Sequence, residues 1–336
     1  MNENHAGLGL EVIQYSAQVG ADPLLVQGAG GNVSWKIDNS LWIKASGTWL
    51  ADAVRDNIFV EVDLNQLRDE LDSKNFAAVP HIRNGSILKP SIETLLHALM
   101  PHPVVAHLHA IDVLSHLVRK DCDNTIASKL NELCSWSVVE YQKPGALLAE
   151  AVADALAENP KADVVFMKNH GLVIGGSTPG EISSLLKTVS SALKCEITLD
   201  VDLLSRKPSA AIHPQYRAVD DPKIHQLAIQ DSLFCRLHKD WALYPDHVVF
   251  LGARAYVYDS WDDFDQFEQL PELIFIRNSG VYAKQYLNKA KSAQLRCYYD
   301  VLSRQCPSQQ LVSLDCDDIR NLLSWDAEQY RMQFAK

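Results

Sequence analysis

Helical and extended hydrophobic patterns alternate along the first half of the chain. Apolar residues recur at helical spacing between Gly7 and Gly20, and the pattern ends at the glycine, which predicts a helix there. Two short extended runs, 34–36 and 41–44, flank a turn-forming Asp-Asn-Ser segment and predict a hairpin. Residues 57–63 then alternate between apolar and polar positions, which is typical of a half-buried strand.

Apolar runs typical of buried strands then alternate with longer runs at helical spacing. Prolines and glycines separate these runs and set the expected ends of the elements. The predicted elements are, in order, a helix that opens at Pro90 and stops at Pro101, a buried strand over 104–109, a helix through 113–117, a helix over 143–156, two extended pieces within 163–174 and a helix from Thr178. The pattern therefore predicts a mixed α/β fold.

A polar, proline-containing stretch that reaches Pro222 is the best candidate for a domain boundary. We therefore divide the chain into a first region, residues 1–210, and a C-terminal α/β extension, residues 211–336. In the extension FIRNSGV aligns with FMKNHGL of the first region, which predicts a degenerate structural repeat. Ser279 stands in this echo where the first copy has His170, so the second copy is predicted to lack a transition-metal ligand.

Composition is that of an ordinary globular protein and excludes some partners. Of the 336 residues, 47% are hydrophobic and 22% are charged, so a packed core is expected rather than disorder. The net charge of -11 argues against a nucleic-acid partner, because such binding rests on clustered Lys and Arg. No apolar run is long enough to cross a bilayer, so no membrane partner is expected.

The N-terminal sequence and the cysteines bear on the cellular compartment. The start, MNENHAGLGL, lacks a basic segment followed by an apolar stretch and does not predict a secretory signal. The seven cysteines are scattered and form no Cys-x-x-Cys pair, so reduced thiols are expected. Both features predict a cytoplasmic protein.

Three histidines are the strongest candidates for chemistry. His107 and His109 are one residue apart in a predicted strand, where alternate side chains share a face, so both imidazoles can reach one ion. Such a pair alone more often lines a polar core than binds a metal. His170 adds a third imidazole at a tight turn, where Gly171 can adopt backbone angles closed to other residues. Three histidines suit a catalytic metal with an open position, and Zn²⁺ is the leading ion, with Mn²⁺ and Co²⁺ as alternatives.

Glu93 is the candidate general base. It is predicted near the start of a helix, two residues after a capping candidate, Ser91, and four before His97 on the same helical face. A glutamate in the first helical turn is usually structural, because the helix dipole stabilises it there. The histidine set is what singles out Glu93 as functional.

Two glycine-containing loops are candidates for binding an anion. The run QGAGGNVS exposes backbone N–H groups around Gly31, and Asn32 and Ser34 add side-chain donors. This run has neither the Walker ending nor the full dinucleotide-binding spacing. Ser46-Gly47 follows the next strand and either forms a second anion-binding loop or is an ordinary turn.

Together these motifs resemble the class II aldolase/adducin family, and the combination is far more specific than any part. The motifs are, in chain order, Gly31-Asn32-Val33-Ser34, Ser46-Gly47, Ser91-Ile92-Glu93, His107-Leu108-His109 and Asn169-His170-Gly171. The similarity runs from about Gly7 to Leu193, and PSIETLLH is most similar to the aldolase half of bifunctional rhamnulose-phosphate aldolase/dehydrogenases. In the extension, residues 244–249 also resemble those larger proteins, and this region is expected to shape the active site or an oligomer interface.

The resemblance implies a fold, a cofactor and a reaction. It implies a three-layer α/β/α arrangement around a largely antiparallel central sheet, and homo-oligomers with active sites near subunit interfaces. It further implies that the three histidines bind Zn²⁺ and that Glu93 acts as acid and base. The implied reaction is reversible aldol cleavage of a ketose or ketose phosphate through a metal-stabilised enediolate. The predicted substrate or phosphate site consists of Gly31, Asn32, Ser34, Ser46, Gly47 and Ser91.

Two departures from the family pattern leave the exact reaction open. Ile92 stands where small-sugar phosphate aldolases commonly have a second serine, which removes one hydroxyl donor to a phosphate. The family's catalytic tyrosine comes from a neighbouring subunit and has no clear match, so Tyr141 stays unassigned. A sugar-phosphate 4-epimerase or a decarboxylase with the same metal site is one alternative, and a non-catalytic adducin-like binding module is another.

Overall fold

The computed structural model describes residues 3–83, 85–264 and 270–334, and it has the mixed α/β fold that the hydrophobic pattern predicts. The strands are β1 (Asn32–Ile37), β2 (Ser40–Lys44), β3 (Phe59–Asp63), β4 (Val104–Leu108), β5 (Trp136–Val139), β6 (Val164–Met167), β7 (Gly171–Gly176), β8 (Arg217–Ala218), β9 (Val257–Tyr258), β10 (Leu273–Ile276) and β11 (Gly280–Ala283). The helices are α1 (Glu3–Gly20), α2 (Leu64–Asp72), α3 (Thr94–Leu99), α4 (Ile111–Leu117), α5 (Cys122–Leu130), α6 (Ala146–Glu158), α7 (Pro179–Ala192), α8 (Gln226–Ile229), α9 (Asp231–Leu237), α10 (Pro245–Leu251), α11 (Trp261–Phe264), α12 (Lys289–Leu302), α13 (Cys316–Leu323) and α14 (Asp326–Phe334).

The first seven strands form one sheet in the order β3-β2-β1-β4-β7-β6-β5. Neighbours in this sheet are antiparallel except β5 and β6, which run parallel. Alternate residues of β4 divide between two cores, because successive side chains of a strand point to opposite faces. Ala106 and Leu108 pack with α1 and α7, whereas Val105 packs with α3 and α6 on the other side. The three-layer α/β/α arrangement with a largely antiparallel sheet is therefore confirmed.

Local sequence signals set many of the element ends as predicted. Helix α1 ends at Gly20, and β1 and β2 form the expected hairpin through Asp38, whose φ is 52°. Helix α7 begins after Thr178, whose hydroxyl accepts a hydrogen bond from the Glu181 N–H at 3.3 Å. Pro179 occupies the first turn of that helix, where its missing N–H is not needed.

The helix predicted to open at Pro90 begins instead at Thr94, so this prediction of the start is wrong. Pro90 forms a β-bridge with Ala45, and the Ser91 N–H donates to the carbonyl of Lys44 at 3.1 Å. This pairing with the end of β2 keeps the segment extended, and a local hydrophobic pattern does not reveal such a long-range contact.

The tight turn between β6 and β7 also differs from expectation. The residue with a left-handed backbone is Asn169, whose φ is 54°, and not Gly171. Gly171 is required for a different reason, since a Cβ atom at this position would lie 2.4 Å from the carbonyl oxygen of Leu108. The glycine therefore permits β4 and β7 to approach closely beside the histidines.

A second sheet has the order β8-β11-β10-β9. In it β10 and β11 are antiparallel and β9 and β10 are parallel, so its order and directions match those of β4-β7-β6-β5 in the first sheet. Asn278 in the β10–β11 turn has a φ of 56°, close to that of Asn169. The degenerate repeat itself stays a prediction.

The two predicted regions share hydrophobic packing. Ile111, Leu114 and Val118, from α4 and its C-terminal end, belong to the same buried cluster as residues of α9, α10 and α12. The division after residue 210 stays a prediction, since each region contributes side chains to that cluster. No helix in the three described ranges is long and apolar enough to cross a membrane.

Candidate metal centre

Three histidines converge where β4 ends beside the turn between β6 and β7. His107 lies in β4, His109 follows the end of that strand, and His170 lies in the turn. One nitrogen or ligand atom from each lies within 4.8 Å of the others, and all three side chains are buried. The central position of β4 in the sheet, between β1 and β7, is what brings the distant His170 to the other two.

One pair of ring nitrogens has the separation expected of two ligands of a single ion. Nε2 of His107 lies 3.1 Å from Nε2 of His109. Two zinc–nitrogen bonds at a tetrahedral angle place their nitrogens about 3.3 Å apart. The carbonyl oxygen of Leu172 lies 3.0 Å from Nδ1 of His107 and can only accept, so Nδ1–H donates and Nε2 keeps its lone pair.

Burial keeps two of these imidazoles in the neutral form that binds metals. It lowers the pKa of His109 to about 3 and that of His170 to about 4, from a usual value of 6.5. Both rings are therefore uncharged at neutral pH and retain a nitrogen lone pair for a cation. This donor set fits a divalent metal ion.

Glu93 lies directly beside the histidines, at the N-terminal end of α3. Its Oε2 atom is 3.5 Å from Nε2 of His107, and its Oε1 atom is 3.4 Å from Nε2 of His170. The Asn32 side-chain amide donates to Oε2 at 2.8 Å. Within the described ranges Oε1 has no hydrogen-bond donor, so this buried oxygen is available to an ion or a substrate.

The charge state of Glu93 follows from its neighbours. Burial raises the pKa of this carboxyl, whereas positive charge on His107 or His170 and the hydrogen bond from Asn32 lower it by more, so the net pKa lies well below the usual range. When the imidazoles are neutral, the hydrogen bond from Asn32 still favours the ionised carboxylate, and a cation held by the histidines would favour it in the same way. A base in this position can take a proton from a molecule that contacts the histidines.

A second layer of polar side chains fixes Asn32. Its amide also donates to the Ser91 hydroxyl at 3.2 Å, and its carbonyl oxygen accepts from Nε2 of His97. Nδ1 of His97 lies 2.7 Å from the Ser34 hydroxyl. Ser34 is fully buried behind this network and does not line the cavity, so it supports Asn32 rather than facing a ligand.

A cleft opens in front of these residues, and its empty space, including the part open to solvent, is about 410 Å³. The sequence-predicted residues that line it are Gly31, Asn32, Ser46, Gly47, Ser91, Glu93, His109 and His170. Ile92 also lines the cavity, where an aliphatic side chain replaces a hydroxyl donor. Tyr141 and His107 are not among the lining residues. His107 lies in β4 and contacts Glu93, which does line the cavity.

Lys44 is a lining residue that sequence reasoning missed. Its ammonium group donates to the carbonyl oxygens of Ala29 at 2.8 Å and Thr48 at 2.7 Å, and so ties both glycine-containing loops together. Burial is the main cause that lowers the pKa of Lys44 to about 7, and the positive charge of the nearby Arg331 is the second. The available signal was a lysine at the end of an otherwise apolar strand, LWIK.

The C-terminal extension contributes two further residues that were missed. Asp246 in α10 and Arg331 in α14 line the same cavity as the histidines. The Arg331 guanidinium donates to Asp246 Oδ1 at 2.9 Å. The family-like segment 244–249 was the only signal for Asp246, and no pattern around Arg331 indicated a role.

Comparisons with known proteins match the first half of the chain. Residues 11–197, more than half of the chain, match the family model for the Class II Aldolase and Adducin N-terminal domain. A curated relative, the uncharacterized oxidoreductase YuxG of Bacillus subtilis (strain 168), is 31% identical over 185 residues, which cover 50% of this chain and 26% of that protein. The chain thus spans only about a quarter of the length of this relative.

Two solved structures resemble part of the chain. The N-terminal class II aldolase domain of a conserved protein from Thermoplasma acidophilum is 27% identical, covers 55% of this chain and 91% of its own, and has a TM-score of 0.47. A sugar-phosphate aldolase from Thermotoga maritima is 18% identical, covers 61% of this chain and 99% of its own, and has a TM-score of 0.44. The family model's range includes Glu93 and all three clustered histidines, and the chain belongs to the class II aldolase and adducin family.

Proposed function

We propose that this protein catalyses the reversible, metal-dependent aldol cleavage of a ketose or ketose phosphate. The observation that carries the proposal is the contact of an ionised carboxylate, Glu93, with two of the three clustered histidines. An acid–base group beside a three-imidazole cluster combines the two functions that this reaction requires. Membership of the family supports the same assignment.

The histidines would hold the metal through one ring nitrogen each, and we propose Zn²⁺, with Mn²⁺ and Co²⁺ as alternatives. When bound, such an ion acts as a Lewis acid and stabilises negative charge that develops on substrate oxygens. The protein's own contribution is to fix the ligands in a buried site. Nδ1 of His107 is fixed by the Leu172 carbonyl, and Glu93 is fixed by Asn32.

Glu93 is the proposed acid and base. In the cleavage direction one carbon–carbon bond breaks, and its electron pair stays on the carbon next to the substrate carbonyl. That carbon must then gain a proton, and the hydroxyl group on the other fragment must lose one to become an aldehyde. We propose that Glu93 accepts the proton that the hydroxyl group loses and delivers a proton to the carbon, and that both transfers reverse in the direction of synthesis. Its oxygen Oε1, which has no hydrogen-bond donor within the described ranges, is the proposed atom for this transfer.

The lining of the cavity also suits an anionic group on the substrate. Ser46 and Ser91 offer hydroxyl groups there, and the loop at Gly47 offers backbone donors. Lys44 adds a buried ammonium group whose two hydrogen bonds go to backbone carbonyls and not to a carboxylate. In its protonated form Lys44 offsets the hydroxyl donor that Ile92 removes, so within the proposed class we prefer a phosphorylated substrate.

The first experiment measures metal content by elemental analysis in the wild type and in His109→Ala, with circular dichroism to confirm folding. Near-stoichiometric zinc that is lost in the variant supports the proposed centre. A folded wild type that binds neither zinc, manganese nor cobalt would exclude the proposed mechanism and favour the binding module.

The second experiment screens metal-loaded protein against phosphorylated and free ketoses and identifies products by mass spectrometry. An aldehyde and a three-carbon ketone support aldol cleavage. An isomer without fragments indicates an epimerase, and release of carbon dioxide from an acid substrate indicates a decarboxylase. Either of these results would replace the aldolase assignment while leaving the metal centre in place.

A further inference from the structure

The outer ring nitrogen of His109 faces a carboxylate from the C-terminal extension. A histidine that binds a metal through one nitrogen commonly directs the other N–H to a carboxylate or a carbonyl, which fixes the ring and its tautomer. For His107 that partner is the Leu172 carbonyl. For His109, Nε2 faces the cluster and Nδ1 lies 3.6 Å from Oδ2 of Asp246, a close electrostatic contact rather than a hydrogen bond.

Asp246 is itself held firmly in this orientation. It is 3% exposed, and its Oδ1 atom accepts from Arg331 at 2.9 Å. Its Oδ2 atom, the one that faces His109, accepts from the Gln294 side chain at 3.2 Å. Arg331 also donates to both carboxylate oxygens of Glu328 at 3.0 Å. Two helices of the extension, α12 and α14, therefore hold one carboxylate against a histidine of the first region.

Gly30 provides an independent observation on the same contact. A Cβ atom at this position would lie 2.7 Å from Oδ2 of Asp246 and 3.0 Å from Nδ1 of His109. Gly30 is not among the glycines with positive φ, so its backbone does not by itself require glycine. The missing side chain instead leaves room for the carboxylate and the imidazole to approach each other.

We propose that Asp246 is a positioning residue for the metal centre, which orients the His109 ring from outside and thereby raises the affinity of the site for a divalent cation. A neutral His109 that offers Nε2 to a cation carries its proton on Nδ1, the nitrogen that faces Asp246. Arg331 and Gln294 position the carboxylate. This inference rests on the proposed metal centre. It also makes the extension part of that centre, although the three clustered histidines all belong to the first region.

The test compares Zn²⁺ affinities of metal-free proteins by competition with a chromogenic chelator. We expect Asp246→Asn to weaken Zn²⁺ binding by about 10- to 100-fold, the usual effect of removing an outer partner of a ligating histidine. The matched control is Asp240→Asn, because Asp240 is also buried and paired with an arginine, Arg236, at 2.6 Å, but does not line the cavity. This control should bind Zn²⁺ as the wild type does.

A second readout separates orientation of the ring from general stability. With Co²⁺ in place of Zn²⁺, the visible absorption spectrum reports the ligand geometry, and Asp246→Asn should change it while Asp240→Asn should not. Thermal unfolding of the metal-free proteins measures the structural effect of each substitution by itself. A variant that loses stability but keeps the wild-type spectrum and affinity would contradict the proposal.

Gly30→Ala keeps the carboxylate but fills the space beside it, and so remains informative if Asp246→Asn does not fold. It should also weaken Zn²⁺ binding, whereas Gly7→Ala, where an added Cβ meets nothing within 4 Å, should not. If the wild type binds no metal, the proposed centre fails. If the wild type binds Zn²⁺ and both Gly30→Ala and the folded Asp246 variant bind it equally well, only the role of Asp246 is overturned.

Discussion

At the scale of single residues, Glu93 separates catalysis from metal binding in the proposed site. The substitution Glu93→Gln keeps the shape and the Asn32 contact but removes the basic oxygen. We expect kcat to fall by about 10²- to 10⁴-fold, the usual size of an acid–base contribution. Zinc content should remain near that of the wild type, because the three histidines are unchanged. Steady-state kinetics and elemental analysis on the same preparation check both expectations, and nearly full activity in the variant would exclude Glu93 as the base.

His247 makes a prediction about acid stability. It is fully buried, and within the described ranges neither ring nitrogen has a hydrogen-bond partner. Burial lowers its pKa from 6.5 to about 3. Between these values the unfolded chain binds a proton that the folded protein excludes, so this residue destabilises the fold increasingly as the pH falls from about 6.5 towards 3, by up to about 1.4 kcal/mol per pH unit.

The substitution His247→Phe should remove this pH dependence while keeping an aromatic ring against Trp241 and Tyr298, whose ring centroids lie 4.3 and 4.5 Å from that of His247. We expect a flatter decline of the free energy of unfolding between pH 6.5 and 4. Denaturant titrations at several pH values measure the free energy of unfolding. The control is His81→Gln, because His81 is exposed. Parallel pH curves for wild type and His247→Phe would refute the assignment.

Short sequence motifs predicted which histidines the fold brings together. His107, His109 and His170 form the predicted cluster, since strand alternation and a tight turn are local features that a sequence displays. Lys44 and Arg331 were missed because their place at the cavity depends on contacts between segments far apart in the chain. The only local signal for Lys44 is its place at the end of an apolar strand, and no local pattern distinguishes Arg331 from an ordinary surface cation.

At the scale of elements, the approach of β4 to β7 is the feature most sensitive to a single atom. A Cβ atom at Gly171 would lie 2.4 Å from the Leu108 carbonyl oxygen and 3.1 Å from Cδ2 of His109. The Leu108 carbonyl belongs to the backbone and cannot move aside as a flexible side chain does, so Gly171→Ala should push the two strands apart. We expect this overpacking to lower the free energy of unfolding by about 1–3 kcal/mol. The control is Gly180→Ala, because Gly180 is exposed in the first turn of α7 and an added Cβ would have the Thr178 hydroxyl as its nearest neighbour, at 3.7 Å.

Urea denaturation of both glycine variants checks this expectation. Gly180→Ala should be neutral or stabilise the protein by up to about 1 kcal/mol, because alanine favours a helix more than glycine does. Gly171→Ala should also bind zinc less tightly, since β4 carries His107 and the moved carbonyl adjoins His109. Equal stability of the two variants would contradict the close-packing explanation for Gly171.

Hydrophobic periodicity predicted the elements better than their starts. Residues 104–108 and 171–176 are strands as expected, because each is a short buried run with clear ends. The start of α3 was misplaced because Pro90 pairs with Ala45 across the sheet, and that contact overrides the local preference for a helix start. The hydrophobic pattern of a single segment cannot predict an element end that depends on pairing with a distant segment.

At the scale of the whole molecule, the second sheet has the same strand order and directions as four strands of the first, β4-β7-β6-β5, which supports the proposed repeat. The corresponding turns differ in what their asparagines contact. Asn278 is exposed, whereas Asn169 is 4% exposed and donates to the carbonyl oxygens of Leu243 at 2.8 Å and Val312 at 2.7 Å. The turn that carries His170 therefore also holds the C-terminal extension.

This difference allows the union of the two regions to be tested with matched variants. Asn169→Gly and Asn278→Gly both place glycine at a φ near 55°, so any relief of backbone strain is common to both. Only Asn169→Gly leaves two carbonyl oxygens of the extension without the side-chain amide that donates to them. We therefore expect Asn169→Gly to lower the free energy of unfolding by roughly 2 kcal/mol more than Asn278→Gly does. Denaturant unfolding followed by tryptophan fluorescence measures the difference. Because His170 adjoins Asn169, the zinc affinity should fall in Asn169→Gly and not in Asn278→Gly. If the two variants have equal stability and equal zinc affinity, the extension is held independently of this turn.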